Sequence, residues 1–347
     1  MSSPLHEALG RLAAGESLSA ELAAGAFGVI MRGEATPAQI GALLLGLRAK
    51  GETAEEVAGA VQALRAAMVR VEPGAGTPLV DTCGTGGGRV STLNLSTAAA
   101  FVAAAAGARV AKHGNRSFTS LCGSADVLEA LGVDIQLPPD RALAALEVAG
   151  FVFLYAPAYH PAMRHVGPAR KELGVPTIMN LLGPLANPAG VRRQVIGVAD
   201  ERRAALIARA LAWLGAEHAM VVHAEIGMDE ISPVGRTRVW EVRDHEVREW
   251  SLDPEAYGAG WGEVDSLRGG RPAENAAVIE SLLAGKGTEA ASRATALNAG
   301  AALYLAGLAR TYREGVERAR EVLAAGAALA VLERLRGLAP RSVGAGG

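Results

Sequence analysis

The sequence predicts an α/β protein: a small N-terminal helical domain, then a larger α/β domain with a mostly parallel central sheet flanked by helices. Three observations carry this. The first 70 residues show only helical periodicity, punctuated by glycine. From Leu79 onward, short apolar runs alternate with helical patterns, the texture of a parallel sheet with helical crossovers. The length, 347 residues, suits about two domains and buries a sizeable core without a metal or disulfide staple. The expected division is 1–72 and 73–347.

Four short helices open the chain. Gly15, Gly33 and Gly51 each close an apolar-periodic stretch, where a left-handed residue ends a helix. Thr36-Pro37-Ala38-Gln39 and Thr53-Ala54-Glu55-Glu56 are capping-box patterns, the first with proline at the first helical position. The third helix, through 40–47, is apolar nearly all round and needs cover on more than one face. A subunit interface or its own bundle would supply that cover. Pro73 to Pro78 reads as a linker. Strands are expected at 79–81, 109–112, 151–155, 194–198 and 219–223, and helices at 96–106, 124–131, 140–149 and 201–214. Alternation between about 233 and 250 predicts an antiparallel hairpin. Three helices, roughly 273–284, 288–307 and 311–337, close the chain.

Composition removes several functions. Lys and Arg number 34 against 36 Asp and Glu, a net charge of −2, so there is no basic excess for a run of phosphates. Aromatics, at 4%, leave few platforms for stacking bases. Cys83 and Cys122 stand alone, with no CxxC or Cys/His cluster for a disulfide framework or zinc. The longest apolar run, Ala98 to Ala108, has eleven residues and is too short to cross a bilayer. His6, Glu7 and Arg11 stand where a signal peptide needs its apolar core. The expectation is a cytoplasmic protein without nucleic-acid or membrane partners.

Four stretches could carry chemistry. Val80-Asp81-Thr82-Cys83-Gly84-Thr85-Gly86-Gly87-Gly88-Arg89 lies between a strand and a helix, and four glycines let backbone N–H groups converge on an anion. Thr92, Asn94, Ser96 and Thr97 add polar groups at the helix entrance. The stretch matches neither a Walker A loop nor a Rossmann fingerprint, and glycine alone would equally suit a tight turn. Lys112-His113-Gly114-Asn115-Arg116-Ser117-Phe118-Thr119-Ser120 follows the next strand, so both segments should share the sheet's carboxyl edge, where α/β proteins bind ligands. Its cations, amide and hydroxyls suit a phosphorylated sugar, although most such stretches are solvated loops. Asp229 and Glu230, in Gly227-Met228-Asp229-Glu230, are hard oxygen ligands suited to Mg²⁺, although most such pairs are surface turns. Finally, His160, Arg164 and Arg170 lie on a proline-bounded helical stretch before Asn180-Leu181-Leu182-Gly183-Pro184-Leu185-Ala186-Asn187-Pro188. An arginine there could hold a carboxylate bidentately, or simply face solvent.

With DTCGTGGG…STLNLST, KHGNRSFTS followed by GSADVLEALG, HPAMRHVGPARKELG with NLLGPLANP, and GMDEIS in order, the chain resembles the anthranilate phosphoribosyltransferase family. The resemblance runs from the N-terminal helices to about residue 310. It implies transfer of a phosphoribosyl group from 5-phosphoribosyl 1-diphosphate to anthranilate in tryptophan biosynthesis, with Mg²⁺, two ions per site. It also implies a homodimer formed through the helical domain, to which the segment near 164–188 returns. By motif position Gly84, Gly87, Gly88, Thr92, Asn94, Leu95, Ser96, Thr97, Lys112, Ser117 and Ser120 would bind the phosphorylated sugar, with Ser124 nearby. Asn115 and Arg170 would face anthranilate, Gly84 touching both substrates, and Ser96, Asp229 and Glu230 would ligate Mg²⁺. Lys112, His113 and Arg170 are the candidate catalytic side chains, His113 by position only. One departure stands out: the family loop commonly reads Gly-Thr-Gly-Gly-Asp, and here Gly88 takes the aspartate's place. The expected consequence is an altered Mg²⁺ dependence without loss of activity.

Two other readings share the architecture. A pyrimidine-nucleoside phosphorylase would carry Lys-His-Ser before its Thr-Gly-Gly, which Asp81-Thr82-Cys83-Gly84 does not match. A nucleic-acid-binding relative without transferase activity would show a basic surface, and this chain is slightly acidic.

Overall fold

The computed structural model describes residues 3–338 except 75, 77, 89, 91 and 118–120. Four helices come first: α1 (Pro4–Ala13), α2 (Ala20–Met31), α3 (Pro37–Lys50) and α4 (Ala54–Ala66). Thr36 and Thr53 both form the expected capping boxes, with Gln39 and Glu56 returning the bond. Gly15, Gly33 and Gly51 all have positive φ. Fully buried Glu56 ties the bundle together, accepting from the Leu18 N–H at 2.8 Å, the Thr53 N–H at 2.8 Å and Lys50 Nζ at 3.1 Å. On α3, Ile40, Leu43, Leu44 and Leu47 are buried, while Leu45 stays 50% exposed.

The α/β part comprises β1 (Leu79–Gly84), α5 (Leu95–Ala105), β2 (Arg109–Gly114), α6 (Ser124–Ala130), α7 (Pro139–Ala149), β3 (Phe151–Tyr155), α8 (Ala156–Tyr159), α9 (Gly167–Leu173), α10 (Met179–Leu185), β4 (Arg193–Gly197), α11 (Glu201–Trp213), β5 (His218–Ala224), β6 (Thr237–Arg243) and β7 (Glu246–Leu252). Helices α12 (Pro272–Leu283), α13 (Glu289–Leu305), α14 (Tyr312–Ala324) and α15 (Leu329–Arg336) close it. Among the described residues the sheet has the order β3-β2-β1-β4-β5-β6-β7. Strands β1 to β5 pair in parallel, and β6 and β7 add an antiparallel hairpin. The chain steps outward from β1 to β2 and β3, then resumes on the other side with β4. The strand order therefore reverses between β1 and β4, and crevices at such reversals bind ligands.

Alternate residues of each strand feed two cores. Val80, Val110, Val195 and Met220 pack with α5 and α13. Cys83, Ile196, Ala219 and Val221 pack with α11 in the apolar cluster that also holds α1 to α4. Val166, Ala169, Ile178, Leu181, Leu182 and Leu185 join that second cluster, so the chain between 166 and 185 lies against the helical bundle. No described helix is long and apolar enough to cross a membrane.

Three expectations are corrected. The helix expected over 311–337 is two, α14 and α15, because Gly326 adopts φ +63° against the Ala284 carbonyl. The proline-bounded stretch carrying His160, Arg164 and Arg170 is not one helix. It divides into α8, a 3₁₀ turn at Pro161–His165, and α9, each of the last two opening with a proline within its first two positions. Strands expected at 79–81 and 109–112 run on to Gly84 and Gly114. The polar residues this adds, Thr82 and His113, stay in the ladder because each side chain finds a partner inside the protein.

Candidate active site

The carboxyl ends of β1 and β4 meet at Gly84 and Gly197, which are paired in register. Beyond Gly84 the chain turns through Gly86 (φ +66°) and Gly87 (φ +79°), a conformation open to glycine and strained for other residues. The Thr85 N–H donates to the Gly197 carbonyl at 2.8 Å, and Thr85 Oγ1 accepts from the Ala199 N–H at 3.2 Å, so the loop is anchored to β4. The chain returns as α5, whose first turn begins at Leu95.

Lys112 lies beneath, 1% exposed, extending from β2 under the start of α5. Its Nζ donates to the Thr82 carbonyl and to Ser96 Oγ, the latter at 3.2 Å, and Thr82 Oγ1 donates to the Ser96 carbonyl at 2.9 Å. Burial lowers the Lys112 pKa, and Asp81, Cys83 and Glu230 oppose that shift. The acid pair that follows β5 is no surface turn. It folds onto the glycine loop, so a methyl on Gly84 would stand 3.2 Å from Asp229 Oδ2, and one on Gly88 3.0 Å from Asp229 Oδ1. Glu230 Oε1 accepts the Ser96 N–H at 3.0 Å. Burial raises the Asp229 pKa. It pushes Glu230 up to about 8, with Asp229 adding to the shift and Lys112 and Ser96 opposing it. Gly84, Gly88, Ser96, Lys112, Asp229 and Glu230 thus form one cluster, gathered from four separate parts of the chain.

The other expected residues sit around it. Thr92 bridges to Arg268, and Asn94 is held between the Cys122 carbonyl (3.1 Å) and Asn275 (2.9 Å). Leu95 is fully buried, leaving only its backbone for a ligand, and Thr97 is buried with its hydroxyl unpartnered. Asn115 Oδ1 accepts the Arg116 N–H at 2.7 Å, and the Asn115 carbonyl accepts from Ser124 Oγ at 3.3 Å. The Ser117 N–H donates to Asp126 at 3.2 Å. Ser120 lies outside the described residues. Arg116 is neutralised by Asp126 and Glu129. Arg164 is exposed, its Nε 3.4 Å from His165. Arg170, on α9, is half-buried without a carboxylate partner among the described residues, and burial lowers its pKa. Neither Asn115 nor Arg170 hydrogen-bonds to the central cluster.

His113 is a poor base in this setting. Its Nδ1 lies 3.1 Å from the Gly183 carbonyl, which assigns the proton to Nδ1 and leaves Nε2 buried and unpartnered. Burial, with His160 adding to it, pushes its pKa down to about 3. Sequence reasoning gave no role to Asp81 or Asn187. Fully buried Asp81 accepts from the His113 N–H at 3.2 Å and from Asn187 Nδ2 at 2.8 Å, and burial raises its pKa to about 6 despite Lys112. Asn187 also donates to the Ala111 carbonyl at 2.8 Å, fastening the 180–188 segment to β2. A carboxylate inside an apolar strand was the available signal for Asp81.

Mg²⁺ needs only one or two protein carboxylates beside substrate phosphates and water. Among the described residues no three His, Cys, Asp or Glu side chains converge. Two adjacent carboxylates with raised pKa values and a serine hydroxyl do converge, and a divalent cation would relieve their repulsion. The donor set fits the metal.

The helical part, residues 6–68, matches the family model described as glycosyl transferase family, helical bundle domain, and residues 76–329 match the glycosyl transferase family, a/b domain. The chain is 50% identical over 335 residues to the anthranilate phosphoribosyltransferase of Phenylobacterium zucineum, covering 96% of this chain and 98% of that one. It is 48% identical over 342 residues to that of Rubrobacter xylanophilus, covering 99% of each. The Thermus thermophilus anthranilate phosphoribosyltransferase structure superposes with a TM-score of 0.91 at 45% identity, covering 97% of this chain and 99% of that one. The Saccharomyces cerevisiae enzyme in complex with PRPP and Mg gives 0.87 at 28% identity, covering 97% and 98%.

Proposed function

Because the chain belongs to the anthranilate phosphoribosyltransferase family, we propose that the cluster between β1 and β4 is its catalytic site and assign its residues accordingly. The protein is a glycosyltransferase of tryptophan biosynthesis. It joins the 5-phosphoribosyl group of 5-phosphoribosyl 1-diphosphate to the amine of anthranilate, giving N-(5-phosphoribosyl)anthranilate and diphosphate. One observation carries the assignment: an anion-binding glycine loop, a helix N-terminus, a buried lysine and two carboxylates converge where the strand order reverses.

The phosphoribosyl diphosphate lies on the amides of Gly84, Gly87 and Gly88 and the start of α5, with Thr92, Asn94, Ser96, Thr97, Ser117, Ser120 and Ser124 along the sugar and its phosphate. Leu95 contributes its backbone. Arg170 and Asn115 take the anthranilate carboxylate and orient the amine, and Gly84 lets both substrates approach. Ser96, Asp229 and Glu230 hold Mg²⁺, two ions per site. Bound there, the metal neutralises charge on the departing diphosphate. Anthranilate's amine is aromatic and neutral at pH 7, so it attacks without a covalent intermediate. Cys83, with its thiol pKa pushed up by burial, is no nucleophile. Catalysis comes from positioning and from charge stabilisation by the loop amides and Lys112. His113, held on the Gly183 carbonyl, is not the proton acceptor, since a base with a pKa of about 3 gains little at neutral pH.

The half-exposed Leu45 on α3 supports a homodimer formed through the helical bundle, which would cover it. The helical unit is proposed as 1–72 together with about 164–188, and the α/β unit as 73–347. The protein is proposed to work in the cytoplasm.

The test follows loss of anthranilate fluorescence with 5-phosphoribosyl 1-diphosphate and Mg²⁺, for wild type and Arg170→Ala. The variant should raise the anthranilate KM by about 10- to 100-fold, the worth of a charge-assisted hydrogen bond, with a smaller effect on the other substrate. An unchanged KM would remove Arg170 from the site.

A further inference from the structure

Glu230 occupies a backbone group that the substrate's phosphates would use, the Ser96 N–H at the start of α5, and Asp229 packs against the glycine loop beside it. Asp229 lies against the glycine loop, so that a methyl on Gly84 would meet Oδ2 and one on Gly88 would meet Oδ1, and the Gly86 N–H faces its carboxylate. Gly88 carries no side chain to push it away. Glu230 is bonded to that one amide, accepting the Ser96 N–H at 3.0 Å. The turn itself cannot easily withdraw. It packs against Gly197, and the Ile231 N–H donates to buried Asn298 at 3.0 Å. Only the two side chains are placed to move.

A phosphate oxygen and a carboxylate oxygen cannot share one N–H in good geometry, so diphosphate must displace these carboxylates. Without a metal, displacement leaves two carboxylates beside a highly charged anion, with Lys112 as the one nearby cation among the described residues that already contacts the cluster. With Mg²⁺ the carboxylates gain a new partner as they release the amides. We propose that Asp229 and Glu230 are internal occupants of the diphosphate site and make it selective for the magnesium-complexed anion over the free one. The inference rests on the site assignment above and deepens it. The pair excludes metal-free phosphates and diphosphates while the substrate is absent, and hydrogen bonds are conserved when the occupants exchange.

The experiment is calorimetric titration of inorganic diphosphate in alkaline buffer, with chelator and with Mg²⁺, on wild type, Glu230→Ala and Glu230→Gln. Alanine vacates the Ser96 N–H, whereas glutamine still offers it a neutral oxygen. In chelator, Glu230→Ala should bind diphosphate about tenfold more tightly than wild type, with Glu230→Gln between them, and Mg²⁺ should then add less to its affinity. Asp229→Ala should act in the same direction and serves if Glu230→Ala unfolds. Metal-free affinity unchanged or reduced in these variants would overturn the proposal, because ordinary metal ligands do not compete with diphosphate. Wild type that binds diphosphate only with Mg²⁺, beside variants that gain nothing, would refute the exchange and leave the site assignment intact. Wild type that binds none even with Mg²⁺ would refute the assignment and the exchange with it.

Discussion

Gly197→Ala should disable the site through a single methyl group. Gly197 ends β4 opposite Gly84, and its φ is one that alanine can adopt, so the effect is steric. A methyl there would overlap the Asp229 carbonyl oxygen and stand 2.5 Å from the carbonyl carbon. Restoring an ordinary contact of about 3.5 Å to that carbon needs a retreat of about 1 Å, and the nearer oxygen needs more. The turn resists that retreat through Ala224 N–H to Met228 O at 3.1 Å and Gly227 N–H to Ala224 O at 2.8 Å. Strain of about 1–3 kcal/mol in stability should follow. Displacing Asp229 and Glu230 by about 1 Å should lower kcat/KM by about 100-fold. Steady-state kinetics and denaturant unfolding measure the two effects. Gly10→Ala is the control: its position in α1 is exposed, with no atom within 4 Å of an added methyl. It should leave turnover unchanged and stabilise by about 0.5–1 kcal/mol through helix propensity. Gly197→Ala turnover within about threefold of wild type would refute the reasoning, because even a modest misplacement of catalytic groups costs more than that.

His160 is buried, and burial pushes its pKa from 6.5 down to about 4. The stability that its neutral form supports is therefore complete above pH 6.5 and lost as pH falls toward 4, about 2 kcal/mol between pH 7 and 5. Relative to His160→Gln, wild type should lose that amount in unfolding free energy over that range, and parallel pH profiles would contradict it. Asp81 and Glu230, with raised pKa values, act in the opposite sense, which is why the comparison with the variant is the one to make. Gly88→Asp would set a carboxylate against Asp229 Oδ1. It should retain activity and lower the half-saturating Mg²⁺ concentration about tenfold, and superimposable Mg²⁺ titrations would exclude this. Glu56→Ala strands two amides and Lys50 inside the bundle and should cost about 3 kcal/mol or more in urea unfolding. A loss under about 1 kcal/mol would show water replacing the carboxylate.

Local chemistry was legible in the residues. Threonine three positions before Gln39 and Glu56 fixes two helix starts, because a capping box closes within four residues. Glycine at positions 15, 33 and 51 fixes three helix ends for the same short-range reason. The glycine loop and the acid pair were likewise visible, since each is contiguous in sequence. The break at Gly326 was not, because the apolar pattern continues across it and the Ala284 carbonyl that it accommodates belongs to another helix. The reach of β1 and β2 through Thr82 and His113 was also hidden. Polar residues argue against a strand until their buried partners are known.

The sequence by itself determined the helical start, the alternation that builds a parallel sheet, and the residue types of the site. Taken alone, the Asp229-Glu230 pair reads most often as a solvated turn, and nothing in its neighbours shows that it folds over the glycine loop. Tertiary structure decided otherwise, because β4 returns beside β1 and β5 beside β4, which brings the turn after β5 over the glycine loop. Capping and turn formation depend on neighbours within one turn of chain. Carboxylate pKa values, metal fit and the close approach at Gly84, Gly88 and Gly197 depend on strand order, a long-range property that no local pattern encodes.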